Sequence, residues 1–407
     1  MTIHDIAMPK LQGYARKTGR PGIRNKLLIL YTVECSRSVC HKVAQQLAQL
    51  GDIDCIGNEA CAANEVIYRQ LASFVTHPNV GAVLVIGMGC EEADGKRLYE
   101  IAVEAGRYAE IMDVQICGGT AKSVQVGVAL AMKLLEKLNK LQKTDISFAD
   151  LCFGIECGAS DYTSLIAANP LMGEFIDQVI FFGGAGVVGE ITEMVGQRDT
   201  IVRRAADSNV ARDLAMTYDK MINFCKATER FSISHGNFKG GLSTIEEKSA
   251  GALVKSGSTP IQGVLKLGQT IPGRGMWILD ELPDFVPSAD VFRGGDASSM
   301  MNLISAGCQM VFLTTGRGHT GGTPVSPTFK ITGNARTFVH MNDDLDFDAS
   351  VRIGTDGVQA CELQQLLEQV VCVINGKETC AERHGASFVS LSFNNQAAEN
   401  VIDHLYY

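Results

Sequence analysis

No apolar stretch of the chain is long enough to cross a bilayer; the longest, Val80 to Cys90, is short and broken by glycine. The N-terminus, MTIHDIAMPK, lacks the basic start, apolar run and small-residue cleavage site of a secretory signal. Together these absences lead us to expect a cytosolic protein with no membrane partner. No C-x-x-C occurs among the 13 cysteines, which argues against a zinc ribbon or a thioredoxin-type pair and reads as a set of reduced thiols. Basic residues are not in surplus either. With 36 Lys and Arg against 45 Asp and Glu, a net charge of −9 and no basic patch, the chain is not expected to bind nucleic acid. Solenoid repeats and low-complexity tracts are missing as well.

What is present is the composition of a folded protein, 46% hydrophobic and 20% charged, in 407 residues, more than one core usually holds. From Leu27 the sequence alternates apolar runs of strand length with helix-period segments. Strands are expected at Leu27–Glu34, Ile53–Ile56, Val80–Met88 and Glu110–Ile116, with helices at Ser36–Leu50, Ala63–Thr76, Gly95–Gly106 and Thr120–Lys140. This is the pattern of a doubly wound parallel sheet. The reading is therefore an α/β protein: a Rossmann-like or flavodoxin-like domain over 13–145, then a mixed, glycine-rich α/β catalytic domain over 146–407. In the second part, strands are expected at Leu151–Ile155, Gln178–Phe182, Trp277–Leu279, Met310–Thr314, Ala335–His340 and Val370–Ile374. The helices expected there include an Asn209–Ala227 helix and one broken at Asn169-Pro170.

Four features carry chemistry. Cys35, Cys90, Cys117 and Cys157 each close an expected strand, with Cys61 in a nearby loop and Glu34, Glu91 and Glu156 beside them. Ligands bind outside the carboxyl ends of parallel strands, so these thiols suit iron and the carboxylates a harder ion. GGAGVVGE holds G-x-G-x-x-G at Gly184, Gly186 and Gly189, with Asp207 downstream, a dinucleotide-binding alternative. Ser234–Gly257 gathers His235, Asn237, Gly240, Gly241 and Lys248, with a capping box (Ser243 with Glu246, or Thr244 with Glu247) whose helix start is a natural anion site. Thr314–Asn334 brings Arg317, His319 and Lys330: two cations for carboxylate oxygens and a proton carrier near neutral pH.

The blocks GYARKTGRPGIRNKLLIL, HPNVGAVLVIGMGCE, GIECGASDYTSLIAANPLMG, GNFKGGLSTIEEKSAG and TTGRG…PTFKITGN resemble, in order and spacing, the altronate and galactarate dehydratase family. That family also includes the large subunit of (2R)-sulfolactate sulfo-lyase. The resemblance implies a lyase that removes water, or sulfite, from a small hydroxy acid with the help of a divalent metal. Iron is the usual metal, Mn2+ or Mg2+ are alternatives, and the cysteines keep an iron–sulfur cluster open. It also implies a small partner subunit in place of the N-terminal domain that many members carry, and a homo-oligomer.

On this reading Arg24, Arg317 and Lys330 hold the substrate carboxylate. Asn237, Asn334 and the Gly240 and Gly241 N–H groups hold its hydroxyls. Lys248, His319 and Glu247 are the acid and base candidates, and Cys61, Cys90, Glu91, Cys157 and Asp161 the metal ligands. Two departures stand out: Gly57 occupies a position that is histidine in typical members, and His235 one that is proline. The altered loop at Gly57 raises the alternative of a silent sugar-acid-binding paralogue, and the glycines of GGAGVVGE leave an NAD-dependent oxidoreductase as the last alternative.

Overall fold

The computed structural model describes residues 10–61, 63–229, 235–282, 295–353 and 360–391, with the backbone alone at 235, 236 and 360. Its strands are β1 (Leu11–Gly13), β2 (Lys26–Tyr31), β3 (Ile53–Gly57), β4 (Val80–Gly87), β5 (Tyr108–Asp113) and β6 (Thr144–Ile146). They continue with β7 (Cys152–Cys157), β8 (Ala185–Val188), β9 (Ile261–Lys266), β10 (Gly275–Asp280), β11 (Met310–Thr315), β12 (Thr328–Thr332) and β13 (Phe347–Asp348). Four of them form a parallel sheet in the order β3-β2-β4-β5. KLLILY of β2 and VGAVLVIG of β4 are buried throughout, because helices cover both faces of such a sheet.

The second sheet has seven strands in the order β13-β12-β11-β7-β8-β10-β9, and every pairing in it is parallel. The antiparallel pair β1 and β6 links the two parts. One apolar core runs across them, joining Leu28, Leu30 and Val83 of the first sheet to Met300, Leu303 and Leu313 of the second unit. Polar contacts seal the same junction: Gln70 Nε2 donates to Asn302 Oδ1 at 2.9 Å and Asn79 Nδ2 to the Gln309 carbonyl at 2.8 Å.

In the seven-stranded sheet the chain leaves β7 toward β8 and leaves the adjacent β11 toward β12 on the opposite side. A crevice opens between the carboxyl ends of two neighbours whose connections diverge in this way. The loops after β7 and β11, beginning at Gly158 and Gly316, therefore face each other.

Three expected strands are helical. Gln178–Phe182 coincides with the end of the helix Asn169–Phe181, Ala335–His340 is a helix, and Val370–Ile374 ends the helix Ala360–Ile374. FIDQVIFF and QVVCVI carry apolar residues on most sides of the helix, which erases the 3.6-residue period. Pro170 does not break its helix, because it stands in the first turn after a π-helical segment, Ser164–Ala168. The glycines of GGAGVVGE lie on and around β8 rather than in a strand-to-helix turn, a 3-10 turn follows at Ile191–Glu193, and Asp207 caps the helix Ser208–Thr228. The dinucleotide reading loses its geometry on each point. No helix among the described residues is long and apolar enough to cross a membrane.

Candidate active site

The carboxyl end of β7 delivers Cys157, and a left-handed turn after β8 delivers Glu190, at φ 55° and ψ 38°. The 3-10 turn Ile191–Glu193 then brings Glu193 to the same place. The Cys157 Sγ and one oxygen from each glutamate lie within 4.8 Å of one another, the one such group of three among the described residues. The thiol donates to Glu193 Oε2 at 2.8 Å and lies 3.8 Å from Glu190 Oε1, and the Cys157 N–H donates to Glu190 Oε2 at 2.9 Å.

The helix Ile245–Val254 supplies the opposing charge from one face, seven residues apart. Lys248 Nζ is 2.6 Å from Glu193 Oε1, and Lys255, fully buried, is 2.7 Å from Glu190 Oε2 and 3.7 Å from Glu193 Oε2. Each carboxylate thus gives one oxygen chiefly to a lysine and turns the other toward the thiol.

Burial works against every charge here, and the neighbours decide the outcome. Burial would lift Glu190, but Lys255 and Lys248 hold it below the ordinary carboxyl value. Glu193 is raised, by burial and by the Glu190 charge, which outweigh the two lysines. Burial, Glu190 and Glu193 push the Cys157 thiol well up. Burial would depress both lysines, yet Glu193 and Cys157 raise Lys248, and Cys157, Glu190 and Glu193 raise Lys255, so both are ammonium ions.

Behind this cluster stands a second layer of acids. Glu156 is fully buried, and burial with the Glu190 and Glu281 charges drives it well above the ordinary value. Ser299 Oγ lies 2.6 Å from Glu156 Oε2 and 2.8 Å from Glu281 Oε1.

In front, a small pocket is lined by Cys157, Ser160, Asp161, Glu193, Leu242 and Lys248. Its walls are the segment after β7 from Cys157 to Asn169, Glu193, and the stretch from Leu242 to Ala252. Asn237 Nδ2 donates to the Ser160 carbonyl at 3.2 Å and Asn237 Oδ1 lies 3.4 Å from Lys248 Nζ. A Cβ at Gly240 would stand 3.0 Å from Asp161 Cβ and 3.3 Å from Arg317 Cδ, so glycine lets this turn close on both. Asn334 Nδ2 donates to Asp161 Oδ2 at 2.9 Å.

Of the expected residues, Cys157, Asp161, Glu247 and Lys248 line this pocket, and Asn237, Gly240, Arg317 and Asn334 pack against those lining residues or each other. His319 lies beside it, its ring 3.3 Å from where a Gly158 Cβ would be. Its Nδ1 accepts the Gly321 N–H at 2.9 Å and its Nε2 is 3.2 Å from Asp296 Oδ2, an imidazole oriented at both nitrogens. Roles differ from expectation at several positions. Asp161 is saturated, by the N–H groups of Thr163 and Ser164 on Oδ1 and by Asn334 on Oδ2, so it orders the loop. The Gly240 and Gly241 N–H groups donate to the Asn237 and Phe238 carbonyls and are closed to a ligand. Glu247 accepts from the Ser243 N–H and hydroxyl while Thr244 Oγ1 accepts the Glu247 N–H, so the helix start is self-capped.

Five expected residues lie elsewhere. Arg24 forks onto Glu382 at 2.8 and 2.9 Å and donates to the Val373 and Lys377 carbonyls, clamping the N-terminal segment to the last helices. Lys330 is buried on β12 near Asp344 and Asp346, its Nζ without a hydrogen-bond partner among the described residues, and burial pulls its ammonium below the ordinary value. Glu91 is occupied by Thr32 and by the N–H groups of Met88, Gly89 and Cys90, and so shapes the loop after β4. Cys61 and Cys90 are exposed on adjoining loops of the first sheet, joined by the Glu92 N–H to Cys61 carbonyl bond.

The departures from the family pattern divide. At Gly57 the space for a side chain is filled by the Tyr31 carbonyl and ring, so a histidine there requires Tyr31 to move. The His235 side chain lies outside the described residues. Glu193, Lys255 and Glu281 were not singled out in the sequence. GEITE after an apolar tetrad and the seven-residue spacing of Lys248 and Lys255 were the available signals.

Comparison with known proteins agrees with the sequence resemblance. The profile described as D-galactarate/Altronate dehydratase, C-terminal, matches residues 148–396, and that of D-galactarate dehydratase/Altronate hydrolase, second domain, matches 13–139. Altronate dehydratase of Bacillus subtilis is 30% identical over 389 residues, covering 90% of this chain and 74% of that protein. Altronate dehydratase of Escherichia coli is 30% identical over 407 residues, covering 92% and 76%. The (2R)-sulfolactate sulfo-lyase subunit beta of Chromohalobacter salexigens is 29% identical over 388 residues, covering 92% and 94%.

Proposed function

Because the chain belongs to the D-galactarate/altronate dehydratase family, we propose that it is a hydro-lyase that removes water from a sugar acid such as altronate or galactarate, leaving a 2-keto-3-deoxy acid. The observation that carries this reading is the buried cluster of Cys157, Glu190 and Glu193 with Lys248 and Lys255, opening on a small pocket at the carboxyl end of β7. The proton next to a carboxylate is weakly acidic, and its removal leaves two negative charges on that group. Catalysis of this elimination requires fixed positive charge where the second one develops.

The donor set fits a divalent transition ion. One thiol sulfur and two carboxylate oxygens converge, and the oxygens taken by lysine are mostly not those facing the sulfur. Sulfur disfavours Mg2+ and favours Fe2+ or a similar ion. When bound by Cys157, Glu190 and Glu193, such an ion supplies Lewis acidity toward carboxylate and hydroxyl oxygens.

The chain's own groups do the rest. Lys248, protonated and lining the pocket, places positive charge on the substrate carboxylate and holds a proton for the departing hydroxyl. Arg317, fixed beside Gly240 by its N–H bond to the Ala159 carbonyl, provides the second cation at the pocket mouth. Asn237 and Ser160 face hydroxyl groups, and the Asp296-oriented His319 carries a proton between pocket and solvent. Leu242 and Ala252 narrow the pocket and limit water.

A second reading takes a sulfolactate-like acid as substrate and a small subunit as partner, supported by the subunit beta relative, 94% of whose length this chain covers. The deciding experiment incubates anaerobically purified protein, with Fe2+ or Mn2+, against aldonates, aldarates and sulfolactate. Keto-acid formation from an aldonate or aldarate supports the first reading. Release of sulfite with pyruvate from sulfolactate, without turnover of the sugar acids, supports the second. Binding without turnover of any acid, also after a small subunit is added, sinks both in favour of a silent sugar-acid binder.

A further inference from the structure

Glu190 is held where its backbone resists being. Its left-handed φ of 55° is disfavoured in a residue other than glycine. That turn takes its N–H off the β8 ladder and directs it inward, onto Glu281 Oε2 at 3.0 Å. Glu281 stands just past β10, and its other oxygen is fixed from the helix Asp296–Ser305. There Ser299 Oγ and, one turn on, Asn302 Nδ2 reach Glu281 Oε1 at 2.8 and 3.1 Å.

The preceding residue is shaped to the same brace. A Cβ at Gly189 would stand 3.0 Å from Glu281 Oε1 and 3.1 Å from Ser299 Oγ, so a side chain there would press the carboxylate and the hydroxyl back by a few tenths of an ångström. The far end of Glu190 meets the Cys157 N–H and Lys255, which fixes where the carboxylate goes but not the turn that sends it there. Without an acceptor at Glu281, the part-buried Glu190 N–H would lose this partner, and a shielded donor left unpaired costs more than the usual value of one hydrogen bond.

We propose that Glu281, braced by Ser299 and Asn302, is a positioning residue that locks the Glu190 turn and so aims the Glu190 carboxylate at Cys157, an inference that rests on the dehydratase reading of this cluster. It touches neither substrate nor ion and acts through Glu190. The brace works by supplying an oxygen in one place, and its charge is secondary. Glu281→Gln, which keeps an oxygen for the Glu190 N–H, is thus the mild change and Glu281→Ala the severe one.

The test uses the full chain titrated with Co2+, followed by the thiolate-to-cobalt absorption band, beside steady-state kinetics. Glu281→Ala is expected to weaken Co2+ binding and lower kcat by roughly 10–100-fold, as loss of a supporting group around a metal site does, with KM changed less than about threefold. Glu281→Gln is expected to recover most of both, and Ser299→Ala to fall between them. Amide exchange over residues 185–193 reads the same brace without metal, faster in Glu281→Ala and near wild type in Glu281→Gln. Should Glu281→Ala fail to fold, Glu281→Gln against Ser299→Ala carries the comparison. Wild-type Co2+ affinity and exchange in Glu281→Ala overturn the proposal, as does Glu281→Gln behaving like Glu281→Ala, or a loss confined to KM. Wild-type protein that turns over no sugar acid refutes the dehydratase reading alone, since the cobalt and exchange comparisons need no substrate.

Discussion

Lys248 Nζ sits 2.6 Å from Glu193 Oε1 with the two side chains only 9% and 5% exposed, a buried ion pair on the wall of the pocket. Breaking one side of such a pair leaves the other charge stranded in low dielectric, at about 3–5 kcal/mol. Lys248→Met should therefore lower the unfolding midpoint as well as abolish elimination. Adding Glu193→Gln should restore most of the stability and none of the activity. Thermal unfolding beside a keto-acid assay checks both halves, and full activity in Lys248→Met would remove Lys248 from the mechanism.

Cys157 is 3% exposed and its thiol is pushed up by burial, Glu190 and Glu193, whereas Cys35, Cys61 and Cys90 are exposed. Thiolate is the reactive form of cysteine. Iodoacetamide at neutral pH should label the exposed cysteines, Cys35, Cys61, Cys90, Cys361 and Cys372, in the native protein and leave Cys157 unmodified until denaturant is added. Peptide mass spectrometry gives the answer, and rapid native labelling of Cys157 would contradict the burial described for it.

At Gly316 a methyl group would fall on the Asp161 carboxylate, which orders the loop after β7 and receives Asn334. Gly316→Ala should shift that loop and lower kcat/KM by an order of magnitude or more, with a stability loss of about 1–3 kcal/mol from overpacking. Steady-state kinetics with urea unfolding separates the two effects; unchanged kinetics would mean that the loop has no part in the site.

Arg24 shows what a sequence hides. A basic residue in a glycine-rich block looks the same whether it holds a substrate or a helix, and only the fold reveals that its fork is taken by Glu382. Arg24→Ala should destabilise by about 3–5 kcal/mol, the usual result of orphaning a buried carboxylate, and leave KM for the acid substrate within about twofold. A rise of KM with unchanged stability would return Arg24 to the substrate.

The same contrast runs through the molecule. The first sheet was legible because β2 and β4 are unbroken apolar runs between amphipathic helices, so period and length agree. In the second unit the helix Asn169–Phe181 is buried along much of its surface and reads as a strand, while β8 is a tetrad between glycines and reads as a turn. The pocket wall was legible where glycine, amide and lysine crowd into one stretch, as at Asn237, Gly240 and Lys248. The acid cluster was not, since Cys157, Glu190 and Glu281 meet only through the order of β7, β8 and β10 in the sheet. Pairing order is non-local, and no spacing in the chain encodes it.

His77 offers a test remote from the pocket. It is 1% exposed at the junction of the two sheets, where its Nδ1 accepts the Asn79 N–H at 3.1 Å and its Nε2 lies 3.2 Å from the Cys308 carbonyl. That arrangement calls for a neutral ring with its proton on Nε2. Burial, helped by the Arg107 and Arg16 charges and opposed by the Cys308 bond, lowers its pKa from 6.5 to about 3. Between those values the unfolded chain binds a proton that the folded chain does not, so stability rises with pH across this window and falls as pH drops below 6.5. From pH 6.5 to 5 the loss from this one group amounts to about 2 kcal/mol, at 1.36 kcal/mol per pH unit. His77→Asn should be less stable than wild type at pH 8, having lost a fitted ring, and should show a shallower decline toward pH 5. Urea unfolding at pH 5, 6, 7 and 8 for both proteins measures the two slopes. Equal slopes would mean that the proton taken up on acid unfolding goes elsewhere and that His77 is not the acid-sensitive contact between the sheets.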